Sequence, residues 1–257
     1  MKFCKIPNVE LKFIKNTTLA NINNSIKVKI DGQVLPKILE TGEVDNFIFN
    51  FLKRHLKKNS IFIDVGSNLG LVSLQVSKIK HVKKIITFEP VKDIYELSTY
   101  NLKKVKNLKQ YNFGWSKKDS REYFYENPRN SGDYSLISSK QRNIKHIFNF
   151  RNANKELNKI ILKKNNLELI LKTDCQGYDI EIFNLINENI LKKISIYFLE
   201  CKEINNNQKK IFLKKLTNFH KIYVSCPLIH AKTKLIKIEN LEEYFNYKVE
   251  FDLILIK

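Results

Sequence analysis

Hydrophobic and polar positions along the 257-residue chain switch repeatedly between runs of two kinds. Short β-like pieces, Val9 to Ile14 and Ile26 to Ile30 with a turn at Asp31-Gly32, predict a small β-rich N-terminal extension over residues 1–44. From Asp45 to Lys58, the residues Phe47, Phe51, Leu52 and Leu56 fall at helical spacing, with basic residues at the end where the helix dipole favours them. Ile61-Phe62-Ile63-Asp64-Val65 is a compact apolar run suited to a buried parallel strand, and Gly66 to Gly70 turns it into a helix carrying Leu71, Leu74 and Val76. The alternation continues with a strand at Ile85 to Glu89, a helix from Asp93 to Val105 and a strand at Leu108 to Phe113. Asp93 and Glu96 are spaced as a capping box, and Pro90 stops the preceding strand.

A polar, aromatic stretch from Arg121 to Ser139 interrupts this rhythm, with a strand at Glu122 to Tyr125 and a loop at Asn127 to Asp133. A helical region around Ile160 follows, then a strand from Leu167 to Thr173 that runs into Asp174-Cys175-Gln176-Gly177, and a helix from Tyr178. Strand Ile194 to Leu199, helix Gln208 to Phe219, strand Lys221 to Ser225 and an alternating run from Val249 to Ile256 complete the chain. Strands and helices alternating at this spacing predict an α/β domain over residues 45–257, with a mostly parallel sheet covered on both faces.

Composition adds a strong basic excess, 46 Lys and Arg against 26 Asp and Glu, for a formal charge of +20. Such a charge invites nucleic acid as partner. Its distribution points away from it: lysine pairs such as Lys57-Lys58, Lys103-Lys104 and Lys214-Lys215 are scattered along the chain, and arginine, the residue that reads bases and forks onto phosphates, is sparse. Heavy use of Lys, Asn and Ile together is what an AT-rich coding sequence produces, which leaves attraction of an anionic acceptor as the residual meaning of the charge. No stretch reaches the roughly 18 apolar residues of a membrane span, and Met1 to Glu10 lacks the 7–15-residue or so apolar core of a secretory signal. A cytoplasmic protein is the expectation. Cys4, Cys175, Cys201 and Cys226 are far apart, without metal-ligand spacing, and read as reduced thiols; no metal site is expected.

In an open parallel sheet, ligands sit beyond the carboxyl ends of the strands. Three such ends carry acids. The first is Asp64-Val65-Gly66-Ser67-Asn68-Leu69-Gly70, where Gly66 and Gly70 allow close backbone approach and Asp64 can accept from a ligand ammonium. The second is Glu89-Pro90, placed where a carboxylate accepts both hydroxyls of a ribose. The third is Asp174. A dinucleotide site needs Gly-x-Gly-x-x-Gly to meet a pyrophosphate, and Asn68 and Leu71 stand where its later glycines belong. A phosphate-free nucleoside with an amino-acid arm is better served, and S-adenosylmethionine has that description.

The chain resembles the FkbM-type methyltransferases, a class I S-adenosylmethionine-dependent family. The resemblance runs through Phe62 to Gly70, Phe88-Glu89-Pro90 and Leu171 to Asp179, within residues 60–205. Ser67 stands where the family usually has Ala, and in the late block, usually Lys-x-Asp-Val-Glu-Gly-x-Glu, Gln176 and Asp179 replace the two glutamates. The resemblance implies a Rossmann-like three-layer sandwich with one antiparallel strand near the C-terminus, which Val249 to Ile256 could supply. It also implies O-methylation, frequently of sugars or other polyhydroxylated metabolites, and adenine near Phe113, Gly114 and Trp115.

Methyl transfer is an in-line displacement in which alignment supplies about 7–11 kcal/mol, and a base accepting the hydroxyl proton about 10²–10⁴-fold. Asp174 is the candidate base, with contact to the cofactor ammonium as its rival role. Together the candidate site comprises Asp64, Gly66, Ser67, Asn68, Gly70, Glu89, Pro90, Gly114 and Trp115 for the cofactor and Asp174 for chemistry. His146, His220 and His230 are further candidates, and Asp133 lies on a segment that could close over substrate. The sequence carries no Asn-Pro-Pro-Tyr motif after the fourth core strand, and Cys175 and Cys201 lack the Pro-Cys block of an RNA cytosine methyltransferase. Two alternatives remain: an RNA methyltransferase using the basic surface, and a non-catalytic cofactor-binding module.

Overall fold

In a computed structural model the described residues are 9–14, 17–22, 26–29, 47–202, 205–226, 234–246 and 249–257. The expected Asp31-Gly32 turn, the boundary at residue 44, Cys4 and His230 lie outside them. The N-terminal strands β1 (Val9–Ile14), β2 (Thr17–Ile22) and β3 (Ile26–Lys29) form an antiparallel meander. Helix α1 (Phe47–His55) buries Phe51 and Leu52. There follow β4 (Ser60–Val65), α2 (Leu71–Val76), β5 (Val82–Phe88), α3 (Lys92–Leu102) and β6 (Leu108–Tyr111). A second sheet then forms from β7 (Gly114–Ser116), β8 (Ser120–Asn127), β9 (Asn130–Ser135) and β10 (Ile144–Asn152). The chain returns through α4 (Ala153–Leu162), β11 (Glu168–Thr173), α5 (Asp179–Leu185), α6 (Glu188–Leu191) and β12 (Ile194–Cys201). It ends with α7 (Asn206–Leu216), β13 (Lys221–Ser225), β14 (Lys234–Ile236), α8 (Leu241–Asn246) and β15 (Phe251–Ile256).

The main sheet has the order β14-β13-β15-β12-β11-β4-β5-β6. Strands β6, β5, β4, β11 and β12 run parallel, and β15 runs antiparallel between β12 and β13. The expected antiparallel strand near the C-terminus is therefore β15; β14, a short edge strand antiparallel to β13, is additional. Side chains alternate across the sheet as the pleat requires. Ile61, Ile63 and Val65 join a core with Leu157, Ile180, Phe183, Phe212 and Leu216, while Phe62, Ile170 and Phe198 meet Phe51, Leu52 and Val76. These are the three layers of a Rossmann-like sandwich.

Two sequence expectations are corrected. Asp93 and Glu96 do not form a capping box: the N-cap of α3 is Val91, without a side-chain cap, and the Val91 amide is taken by Glu89. The capping box is at α7, between Asn205 and Gln208. The segment Asn127 to Asp133 is not a loop but a hairpin, with β9 paired to β8 through Asn127↔Asn130. The N-terminal meander is docked rather than trailing. Asn101 on α3 accepts from the Lys27 amide at 2.8 Å and donates to the carbonyls of Lys27 and Leu69 at 3.0 and 2.9 Å, and Val28 is fully buried beside Leu69, Val91 and Ile94.

The chain leaves β4 outward to β5 and β6, then returns on the other side of β4 as β11, so the sheet switches direction between β4 and β11. That switch opens a crevice at the strands' carboxyl ends. Gly66 sits at its floor with φ +71°, and a Cβ there would lie 2.0 Å from the Asp174 carbonyl oxygen. Gly177 also has positive φ, +94°, but a Cβ would meet nothing closer than 3.5 Å. Gly66→Ala is therefore expected to cost more than about 3 kcal/mol by combining backbone strain with a backbone clash, and Gly177→Ala about 1–2 kcal/mol from strain alone. Urea midpoints of the two variants check the ranking, and equal losses would contradict it.

Candidate active site

The deepest polar contact of the site joins β4 to β11. Asp64 is fully buried; its Oδ1 accepts from Lys172 Nζ at 2.9 Å and its Oδ2 from Ser73 Oγ at 2.7 Å. Lys172 is itself buried. Desolvation pulls its ammonium pKa down, but the Asp64 and Asp174 carboxylates more than offset this, and the net shift is upward. Lys172 Nζ also reaches the Gly66 carbonyl at 3.4 Å and Asp174 Oδ2 at 3.6 Å. Asp64 is thus enclosed and bonded from both sides, and it lines neither of the two cavities described below. Gly70 is likewise internal, since a Cβ there would lie 2.7 Å from Ser98 Oγ and Leu102 Cδ1 on α3.

Glu89 closes β5. Burial pushes its carboxyl pKa up to about 7 against two backbone donors, Val91 N–H to Oε1 and Asn68 N–H to Oε2, each at 2.9 Å. Asn112 Nδ2 pins the turn by donating to the carbonyls of Glu89 at 2.8 Å and Pro90 at 3.1 Å. Each carboxylate oxygen retains lone-pair capacity for a further donor. Beyond it, a cleft enclosing about 620 Å³ of empty space, its mouth included, is bounded by Gly66, Asn68, Glu89, Pro90, Gly114, Trp115 and Asp174, with Ile94, Phe124, Leu136 and Phe150 as apolar walls. Trp115 is buried, and its indole N–H has no acceptor among the described residues. Phe113 is absent from this lining; its ring packs on Phe88 and Tyr111 beneath the Arg151 guanidinium. The walls Phe124, Tyr134, Leu136 and Phe150 come from the second sheet and the segment after β9, which sequence reasoning did not connect to the site.

A second cavity adjoins the first, and Gly66, Asn68, Asp174 and Gln176 line both. Ser67, the remaining glycine-turn residue, belongs to this cavity, with Thr173, Glu200, Asp252 and the aromatic ring of Phe47. Asp174 is accessible, its side chain 43% exposed, and its Oδ1 accepts from Gln176 Nε2 at 3.2 Å. Asp179, where the family has Glu, is buried and accepts from the amides of Cys175 and Gly177, so it braces the turn after β11; burial raises its pKa to about 6. Burial and the neighbouring Asp179 push the Cys175 thiol up, away from nucleophile character. Cys201 is buried in the core.

The other candidates lie elsewhere. His146 pairs with Glu126 at 2.5 Å on the second sheet, His220 is exposed after α7, and Asp133 is held by Arg142 at 2.6 Å and Asn127 at 2.9 Å. None of the three lines either cavity. Among the described residues no group of His, Cys, Asp and Glu could hold a metal ion, and no helix is long and apolar enough to cross a membrane.

A mostly parallel sheet of this order, with an acid closing its second parallel strand and a glycine turn closing the strand beside the switch, defines a Rossmann-like methyltransferase-type fold. The methyltransferase FkbM domain matches residues 64–231, about two thirds of the chain, and the chain belongs to that family. No curated protein matches it. Similar solved structures include a precorrin-6y C5,15-methyltransferase from Geobacter metallireducens, at 11% identity and TM-score 0.41, covering 82% of this chain and 86% of that one. A putative methyltransferase from Streptococcus mutans in complex with SAH has 14% identity and TM-score 0.42, covering 82% and 97%. A putative tRNA (m1A22) methyltransferase from Streptococcus pneumoniae has 10% identity and TM-score 0.42, covering 81% and 72%.

Removing one partner of a buried ion pair strands the other charge. Lys172→Met is expected to cost about 3–5 kcal/mol, and adding Asp64→Asn to recover a large part of it. A double variant as unstable as the single one, measured by chemical denaturation, would show that the pair does not carry this contact.

Proposed function

We propose that the protein is an S-adenosylmethionine-dependent O-methyltransferase acting on a hydroxyl of a sugar, glycan or other small polyhydroxylated metabolite. The observation that carries the reading is the buried Glu89 carboxylate at the edge of an apolar cleft, with no phosphate-binding glycine pattern beneath it. The residues suit the cofactor. Glu89 offers a paired acceptor for a ribose diol, and Ile94, Phe124 and Phe150 offer apolar walls for a purine. The arm of the nucleoside would cross the ridge formed by Gly66, Asn68, Asp174 and Gln176, which leaves the second cavity for the acceptor.

Bound there, S-adenosylmethionine supplies a sulfonium methyl for in-line displacement. The chain contributes alignment, exclusion of water by the second sheet, and a proton acceptor. We assign that last role to Asp174, which is accessible from both cavities and is kept oriented by Gln176 and Lys172. The RNA reading has one observation in its favour: on the exposed face of the second sheet, Lys145 lies over the rings of Tyr123 and Tyr125 at 5.6 and 5.9 Å. Salt-dependent RNA binding lost on Tyr123→Ala would favour it.

Thermal shift separates the readings. S-adenosylmethionine and S-adenosylhomocysteine at about 100 Kd are expected to add near 2.7 kcal/mol of stability, and a shift with NAD alone would overturn the proposal. Transfer of label from methyl-tritiated S-adenosylmethionine to a polyol panel tests the reaction. Asp174→Asn is expected to bind cofactor normally and lose about 10²–10⁴-fold in turnover; unimpaired turnover removes Asp174 as base.

The raised pKa of Glu89 gives a pH signature. In the empty protein the carboxyl binds its proton more tightly than in the unfolded chain, so its contribution to stability is full below pH 4.5 and is lost as pH rises to about 7. A diol donating to it favours the charged form, so cofactor affinity is expected to climb with pH and level off above about 7. Glu89→Gln is expected to bind at least about tenfold more weakly, without that pH dependence; titration calorimetry from pH 5 to 8 reads both.

A further inference from the structure

The turn after β11 holds an amide between a cation and an acid. Gln176 Nε2 donates to Asp174 Oδ1 at 3.2 Å, and Gln176 Oε1 accepts from Lys202 Nζ at 3.2 Å. Lys202, one residue past β12, is itself placed by two acids, 3.3 Å from Glu200 Oε2 and 3.0 Å from Glu250 Oε1. The Gln176 backbone is tied as well: Ser135 Oγ, buried at the end of β9 in the second sheet, donates to the Gln176 carbonyl at 3.0 Å. Gln176 has φ +53°, a left-handed conformation that a residue with a long side chain keeps only where its surroundings hold it. Bonds from the second sheet and from the end of β12 thus meet on one strained residue that lines both cavities.

The direction of the amide is what this arrangement decides. A glutamine can turn either its oxygen or its NH2 toward a neighbour, whereas an ammonium only donates. Lys202 therefore takes Oε1, and Nε2 is left facing Asp174. Reversed, the amide would set a carbonyl oxygen against a carboxylate. Asp174 has little other support. Lys172 Nζ is 3.6 Å away and already bonded to Asp64 at 2.9 Å. The Asp179 carboxyl on α5 and the Glu200 carboxyl on β12, both pushed upward by burial and by Asp174 itself, bring no positive charge, and burial keeps the adjacent Cys175 thiol protonated. A donor to the charged form of an acid stabilises that form. We propose that Lys202 and Gln176 are positioning residues for proton transfer: the ammonium sets the direction of the amide, and the amide keeps Asp174 ionised and oriented where the two cavities meet. The use made of Asp174 rests on the methyl-transfer reading above; the bonds that hold it do not.

Carboxyl and side-chain amide NMR of the whole protein, with and without S-adenosylhomocysteine, tests this across a pH series. In the wild type the Gln176 amide is expected to shift with the same pH midpoint as the Asp174 carboxyl. Gln176→Glu is expected to move that midpoint up by about 1 or more in pH, because a second carboxylate then stands beside the first. Lys202→Met is expected to uncouple the amide from Asp174, and Lys202→Arg, which keeps a donor, to preserve the coupling. A wild-type amide that ignores the titration of Asp174 overturns the proposal, as does an unmoved midpoint in Gln176→Glu or full coupling in Lys202→Met. The wild-type series decides even where a variant fails to fold. Intact coupling in a protein that does not bind S-adenosylhomocysteine would instead remove the methyl-transfer reading and leave the orientation of Asp174 by the amide standing.

Discussion

A lysine and an aspartate withdrawn from water at the centre of the sheet set the geometry of everything above them. Asp64 and Lys172 stand opposite each other on neighbouring buried strands, and each is accommodated there because the neighbouring strand supplies the other. The pair lies at the switch point, where β4 and β11 are adjacent and their outgoing turns must diverge. Lys172 extends the same charge toward the Gly66 carbonyl and the Asp174 carboxylate, so one ammonium ties together the floor of the crevice and the acid beside it. Gly66 then has to be glycine because the Asp174 carbonyl occupies the space a Cβ would need.

On this floor the site divides according to chemistry. One half is apolar with a single buried acid, Glu89, and suits a flat nucleoside with a diol. The other half sets Asp174, Glu200 and Asp252 beside apolar residues such as Leu71, Val72, Phe198 and Leu253. The residues common to both, Gly66, Asn68, Asp174 and Gln176, mark where donor and acceptor could meet, which is the one place a displacement requires them to meet. The second sheet roofs the apolar half with Phe124 and Phe150, which stand on the paired strands β8 and β10.

Much of the main sheet was legible because its central strands are buried on both faces and appear as short, mainly apolar runs separated by helical periods. The second sheet was not. Strand β10 alternates residues such as Lys145, Ile147 and Asn149 with aromatics and lies between exposed and buried surface, so no continuous apolar run announces it, and Pro128-Arg129 disguised a hairpin turn as loop. The three acids at strand ends were readable by position, and Glu89 stands where spacing put it. What sequence position could not reveal was which acid faces inward. Asp64 and Lys172 each interrupt an apolar strand, and two lone charges in neighbouring buried strands are the signal of a pair; the spacing to the glycine turn drew attention to a ligand instead. Glu200, one residue before the end of β12, pairs in register with Asp252 of β15, which is distant in sequence.

The account depends most on the claim that the Glu89 carboxylate receives a sugar diol in a cleft without phosphate contacts. A crystal structure of the protein grown with S-adenosylhomocysteine tests it directly. The account predicts both ribose hydroxyls within hydrogen-bond distance of Glu89 and the purine among Ile94, Trp115 and Phe150. A nucleoside bound with its diol turned away from Glu89, or seated outside this cleft, would contradict it.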